Sequence, residues 1–236
     1  MKRIAYILAA AALLTLPSCR FIRVSDEFKE KLNGFAEENA LTASDNIISR
    51  NDVTGEFHSI QSNVPGDVVY TPGNCAIKIE GPDNVLQHIK VYNDNGTLTI
   101  KTDGTKFRKL QKLSIKLSSP VLEDLDFNGA VDFNAPEGIT ALDFNLTVNG
   151  AGDIFIAGLK ADRAALTVNG AGDVDVDDLD CERVAVAVNG AGDANVAGRA
   201  ASANLSISGA GDIDASGLQC PKIESSVHGI GRIKKP

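Results

Sequence analysis

The C-terminal half of the chain repeats a five-residue unit. Asn149-Gly150-Ala151-Gly152-Asp153 recurs at 169–173 and 189–193, and again as Ser208-Gly209-Ala210-Gly211-Asp212. Degenerate copies stand at Asn128-Gly129-Ala130-Val131-Asp132 and His228-Gly229-Ile230-Gly231-Arg232. The first residues of successive copies lie 21, 20, 20, 19 and 20 positions apart. A unit that short cannot bury a core alone, so the fixed period implies coils stacked into a solenoid.

Hydrophobic period decides what each coil is made of. Before the turns, apolar side chains alternate at Phe144/Leu146/Val148, Ala164/Leu166/Val168 and Val184/Val186/Val188. After them they alternate again at Ile154/Ile156, Val174/Val176 and Ile213/Ala215. Period two on both flanks is strand. Each coil therefore reads as strand, glycine turn, strand and second turn, with equivalent positions stacked about 4.8 Å apart in parallel sheets. The fold class expected is all-β: a parallel β-helix with coils of about 20 residues and a strand-rich N-terminal cap.

The columns of such a stack can be written out. Ala161, Cys181, Ala201 and Cys220 share one position. Leu159, Leu179 and Leu218 share another beside corners at Gly158, Gly198 and Gly217, with Arg199 breaking the leucine column and turned outward. Cys181 and Cys220 then lie two coils apart, roughly 9–10 Å. That exceeds the ~7 Å Cα limit for a disulfide, so two free, buried thiols are expected.

The turn has its own chemistry. Gly150 and Gly152 adopt positive φ without steric cost, and Ala151 is small enough for a tight corner. Asn149, Asn169 and Asn189 stack as an amide ladder. Asp153, Asp173, Asp193 and Asp212 form a column of like charges that something must compensate. Backbone N–H groups of the turn are one means. A row of Ca²⁺ or another cation is the alternative. The spacing departs from calcium-binding nonapeptide rolls. Here Asp follows the last Gly directly, and two nonapeptide units make a shorter coil than the period of this repeat. Arg232 takes the aspartate position in the last copy, where it can neutralise the end of the column.

Residues outside the repeat divide the chain further. Lys2-Arg3, an apolar run from Ile4 to Leu16 and Pro17-Ser18-Cys19 give the order of a secretory signal, too short to span a bilayer. Leu16-Pro17-Ser18-Cys19 resembles a bacterial lipobox, which implies acylation of Cys19; an ordinary signal peptide fits the same order. The organisation expected is a lipoprotein signal at 1–18, lipidated Cys19 and a polar tether over 19–46, an N-terminal β module at 47–118 continuous with the solenoid, and the repeat solenoid at 119–236. Ile77-Lys78-Ile79, Ile89-Lys90-Val91 and Leu98-Thr99-Ile100 alternate as strands, and Val91 and Leu98 flanking Asn93–Gly96 read as a hairpin.

Composition narrows function. A net charge of −8 and a pI near 4.9 exclude a nucleic-acid binder, which needs a basic footprint. Lys106, Arg108, Lys109, Lys112 and Lys116 are a local basic cluster, read either as lysine protection of an edge strand or as a patch for acidic glycans or lipopolysaccharide. Asp177-Asp178 and His228…Arg232-Ile233-Lys234 echo polysaccharide hydrolases of solenoid fold, but no second carboxylate cluster stands opposite as acid and base. His58, His88 and His228 lack the context of a catalytic triad. Outward positions such as Asn145, Thr147, Thr167, Asn204 and Ser206 are small and polar, suited to hydrogen bonding a glycan.

One family carries this combination. Phe57-His58-Ser59-Ile60 before a Pro-Gly turn, Ile77-Lys78-Ile79-Glu80-Gly81-Pro82-Asp83-Asn84, Gly96-Thr97-Leu98-Thr99-Ile100 and the N-G-A-G-D coils resemble the auto-transporter adhesin, head GIN domain family of bacterial, Bacteroidetes-type lipoproteins. The resemblance covers roughly residues 47–234. It implies a right-handed β-helix shaped like pectin lyases without their catalytic groups, an outer-membrane lipoprotein facing the periplasm or the outside, and adhesion rather than catalysis. The partners expected are the membrane through the lipid and a glycan or a host or cell-surface protein, with no nucleic acid and no cofactor. A polysaccharide-active enzyme and a cation-binding structural scaffold are the competing classes.

Overall fold

The computed structural model describes residues 40–108, 110 and 113–236. The signal segment, Cys19, the tether up to residue 39, Lys109 and Lys112 lie outside the described residues. The strands of the first half are β1 (Leu41–Thr42), β2 (Ile47–Asp52), β3 (Ser59–Ser62), β4 (Gly66–Pro72) and β5 (Ala76–Pro82). One helical turn, α1 (Asp83–Leu86), leads to β6 (Ile89–Asp94), β7 (Thr97–Thr102), β8 (Phe107–Arg108) and β9 (Ser114–Ser119). The repeat half supplies β10 (Asp124–Ala135), β11 (Ile139–Thr140), β12 (Asp143–Ala151), β13 (Asp153–Ile156) and β14 (Leu159–Gly170). It continues with β15 (Asp173–Gly190), β16 (Ala194–Gly209), β17 (Ile213–Asp214), β18 (Leu218–Gln219), β19 (Ile223–Gly229) and β20 (Ile233–Lys234).

These strands form a parallel β-solenoid. Asn128 stacks on Asn149, Asn149 on Asn169 and Asn169 on Asn189, and the pairing continues through Ser208 to His228. Alternation then decides what lies inside. Leu125, Leu146, Leu166, Val186 and Leu205 make one interior column, and Phe127, Val148, Val168, Val188 and Ile207 another, all buried. Phe133, Ile154, Val174, Ala194 and Ile213 line the opposing sheet. Phe127 and Phe133 meet across the lumen at 5.4 Å between ring centroids. Each such buried Leu, Ile or Val contributes about 1.5–3 kcal/mol through removal from water.

The corner glycines are required by the stacking itself. Gly170 has φ +153°, and a Cβ there would fall onto the carbonyl oxygen of Gly150 one coil below. Gly190 meets the Gly170 carbonyl in the same way. Positive φ is the reason for glycine that the sequence suggests. Closeness of one main chain to the next is a second and independent one.

Axial order and chain order part company in the N-terminal half. β3 and β4 pair in parallel with β10 on one side and with β7 and β9 on the other. The coil made from residues 59–72 thus lies inside the stack, between 97–119 and 124–135. The cap proper is antiparallel: β5 runs along β9, β2 along β5, and β6 along β7. The hairpin at Asn95-Gly96 is present, with φ +50° and +84° at its two central residues. Positive φ at both matches a type I′ turn. Val91 stands opposite Ile100, and Leu98 opposite Asn93.

Several sequence assignments change. Leu41–Asn46 belongs to the folded unit, which starts at Leu41, rather than to the tether. β1 pairs with β8, and Ser44 and Asn46 both donate to the Asp83 carboxylate. The leucine column is broken by Gly198, not Arg199. The pairing offset slips between Val176 and Leu179, because Asp177-Asp178 is a bulge on β15. The small-residue column is therefore Ala161, Cys181, Ala200 and Cys220, with Ala200 in place of Ala201, and Gly198 leaves the corner column. Arg199 faces outward, as expected, and stacks on Asp180. Cys181 and Cys220 are free but half-buried rather than buried.

Candidate functional site

The corner columns are built from side chains meeting main chain. Asn149 Nδ2 donates to Asn128 Oδ1 (3.1 Å), Asn169 to Asn149 (2.8 Å) and Asn189 to Asn169 (2.9 Å), so each amide is held by its neighbour. In the next column the acceptor is a carboxylate. The Asp153 N–H donates to Asp132 Oδ1, Asp193 N–H to Asp173, and Asp212 N–H to Asp193, at 2.8–3.0 Å. The donor is thus the following coil's backbone rather than the residue's own turn. Arg232 closes the column, its N–H and guanidinium both bonding Asp212 at 2.7 and 3.2 Å. No group of three or more His, Cys, Asp or Glu side chains among the described residues converges on a metal-sized space.

The other sequence candidates are dispersed. His58 Nδ1 lies 3.1 Å from Glu123 and 3.2 Å from Ser59 Oγ, while the Ser59 hydroxyl donates to Asp124. Ser59 is buried. Its proton points at a carboxylate rather than at imidazole, so the trio is not a nucleophile relay. His88 is tied to Asp103 and Thr105, and His228 stacks above Ser208. Asp177-Asp178 is the exposed bulge on β15, away from all three histidines in sequence and pairing. Of the basic cluster, Arg108 sits in the small β1–β8 sheet. Lys116 lies on β9, which is paired on both sides and so is no edge strand.

A concave surface lies elsewhere, along the sheet of β12, β14, β15, β16 and β19. It is an open groove of about 450 Å³ crossing the strands. One wall is the outward row Asp143, Arg163, Arg183, Ser202 and Lys222. Its floor is the row Asn145, Ala165, Ala185, Asn204 and Glu224. The Arg163 guanidinium holds Asp143 with two hydrogen bonds, at 2.6 and 2.5 Å, and keeps that carboxyl below its ordinary range. Such two-pronged, charge-assisted pairs are the strong ones. Lys222 Nζ is 3.3 Å from Glu224. Arg183, on the middle rung, makes no hydrogen bond or ion pair among the described residues. Asn145 and Asn204 are outward contact positions expected from the sequence; Thr147, Thr167 and Ser206 form the adjacent row outside the groove. The wall can be found from sequence only by extending the columns to the one residue before the apolar alternation.

Comparison with known proteins now adds to this geometry. The family model described as "Putative auto-transporter adhesin, head GIN domain" matches residues 56–166 and 145–234. The chain belongs to that family. A putative adhesin from Bacteroides fragilis is 24% identical with a TM-score of 0.68, over 84% of this chain and 100% of that one. A structure from Parabacteroides distasonis described as a putative lipid binding protein has a TM-score of 0.75 at 16% identity, covering 84% and 99%. A putative adhesin from Parabacteroides merdae gives 0.57 at 16%, again covering 84% and 99%. At these identities the structures share the β-solenoid fold, and the fold alone. No curated protein matches the chain. The head GIN assignment places the repeated corners and the groove on one family scaffold.

Proposed function

We propose that this chain is a non-catalytic adhesin of the cell envelope, anchored through an acylated Cys19 and presenting the β12–β19 sheet to glycans or proteins of a neighbouring surface. The groove on that sheet is the observation that carries the reading. A stiff stack of parallel strands holds a row of charges beside a row of small side chains, at rung spacings of about 4.8 Å. Family membership supports adhesion over catalysis. The charges of the groove argue in the same direction. Its two carboxylates, Asp143 and Glu224, stand four rungs apart, roughly 19 Å. Glycoside hydrolysis needs a pair about 5–10 Å apart across the scissile bond. Both are also engaged by cations, Arg163 and Lys222.

The test is a glycan-array and cell-binding screen of the whole chain, run beside a turnover assay on acidic polysaccharides. Binding without turnover is the expected result. Turnover abolished by Asp178→Asn would replace the adhesin with a polysaccharide-active enzyme. Anchoring is checked by detergent phase partition: wild type enters the detergent phase, Cys19→Ala the aqueous one, and equal partition refutes acylation.

A further inference from the structure

Resting on the adhesin reading, we infer that the groove binds a uronic-acid-containing oligosaccharide, with the Arg183 guanidinium receiving the sugar carboxylate. The inference begins from how the basic groups of this acidic protein are used. Arg50 pairs with Asp52, Arg163 with Asp143, Arg199 with Asp180 and Arg232 with Asp212. Arg108, in the small β1–β8 sheet, and Arg183, on the middle rung of the groove wall, have no carboxylate partner among the described residues, and of the two only Arg183 lines the groove. The groove lining itself carries three cations, Arg163, Arg183 and Lys222, against two anions, Asp143 and Glu224. It is thus a locally positive strip on a chain of charge −8. The two outer cations are already neutralised by the two anions, so the unsatisfied charge is concentrated at Arg183. An anion placed there gains a planar two-pronged donor to which no acceptor is bonded among the described residues.

The floor states what else the ligand is. Ala165 and Ala185 give two methyl groups level with the sheet beside Arg183, and nothing projects between them. Such a surface accepts the flat apolar face of a pyranose ring. Asn145 and Asn204 lie at the two ends of that alanine stretch; Asn204 offers its amide to ring hydroxyls, and Asn145, whose Nδ2 donates to Asp124 at 2.9 Å, offers its Oδ1 as acceptor. Three rungs separate them, a span of roughly 14 Å at the usual strand spacing. A protein partner is disfavoured, because no aromatic side chain lines the groove to pack against an anchor residue. Width, amides at the ends and one central cation fit a short acidic glycan.

The experiment uses the whole chain and short oligogalacturonates, with their carboxyl-reduced neutral counterparts as the control, by calorimetry at low and high salt. Expected are binding of the acid form, at least tenfold weaker binding of the neutral form, and weakening by salt. Arg183→Ala lowers affinity about tenfold or more, Arg183→Lys less, and Ala185→Trp blocks the floor. All three retain the wild-type melting temperature, since Arg183 is unbonded and Ala185 faces outward. Equal binding of acid and neutral forms, or full affinity in Arg183→Ala, overturns the inference. Binding to neutral glycans or to cell-surface proteins with none to uronates overturns this inference and leaves the adhesin reading standing. Failure to bind any glycan or cell removes both.

Discussion

A single methyl group at a corner should distinguish stacking from backbone conformation as the reason for glycine. Gly170 and Gly129 hold the same place in their coils, with φ +153° and +122°. Both lie where an L side chain is strained, at about 1–3 kcal/mol. Their neighbours differ. A Cβ on Gly170 would overlap the Gly150 carbonyl, whereas a Cβ on Gly129 meets nothing within 4 Å. The coil beneath Gly129 is the one from residues 59–72, whose corner takes a different path. Gly129→Ala therefore carries the strain alone. Gly170→Ala adds overpacking between coils, about 1–3 kcal/mol more. For a unit of this size 1 kcal/mol corresponds to about 2–4 °C in Tm. Gly170→Ala is expected to melt roughly 4–8 °C below Gly129→Ala, at the middle of that range. Urea denaturation of the whole chain adds a second readout. If the clash separates the stack into halves that unfold independently, the transition broadens and its apparent m value falls. Equal losses in the two variants would show that φ alone selects glycine and would refute the close approach of successive coils.

Asn169 both donates to Asn149 and accepts from Asn189, while Asn189 makes only the one ladder bond; Asn169→Ala should cost about 1–2 kcal/mol and Asn189→Ala about half as much, by thermal melting. Hydrogen bonds from Ser216, its hydroxyl first and its N–H second, with Lys234 beside them, draw the Asp214 carboxyl down to about 2 from the ordinary 3.8. Its contribution to stability is present above about pH 4 and is lost as pH falls from there towards about 2, so Asp214→Asn should lower stability at neutral pH by an amount that shrinks through that window, flattening the acid limb of the stability curve. Burial, reinforced by the neighbouring Asp180, pushes the Cys181 thiol up to about 11. Alkylation of the native protein at about pH 8 should therefore be much slower there than in urea; equal rates would show the column exposed. Removal of divalent cations with EDTA should leave the melting temperature unchanged, because main-chain N–H groups already occupy one oxygen of Asp132, Asp173, Asp193 and Asp212.

What the sequence makes legible is whatever stacks on itself. A corner that must fit the corner below it is written in the same letters each time, and so Asn149, Gly150 and Asp153 announce their columns without coordinates. Legibility ends where the repeat does. Residues 59–72 pack between two segments that follow them in the chain, and no local pattern in Ser59–Ser62 says which coil they join. A one-residue slip at Asp177-Asp178 moves every later member of a column, which is why counting residues alone puts Arg199 and Ala201 in the wrong ones. The groove is hidden for another reason. Asn145 and Asn204 can be seen as outward, but the isolation of Arg183 follows only from knowing that Arg163 turns towards Asp143 instead.

The same reasoning explains where a repeat protein can keep a specific site. The central interior column is confined by volume. Leu125, Leu146, Leu166, Val186 and Leu205 differ by no more than a methylene, because each fills the same slice of lumen. Outward rows have no such constraint. The row Asp143, Arg163, Arg183, Ser202, Lys222 changes charge at nearly every rung while the row one residue further in stays apolar from Phe144 to Ala203. Stacking makes neighbours of residues from successive coils, so the charge at one rung is read against the rungs above and below it. Asp143 removes Arg163 from availability and Glu224 removes Lys222, leaving one cation at one height on a scaffold that otherwise repeats. Position along a uniform axis is thereby defined by a break in the repeat, and it is at such a break that recognition of a particular ligand register can arise.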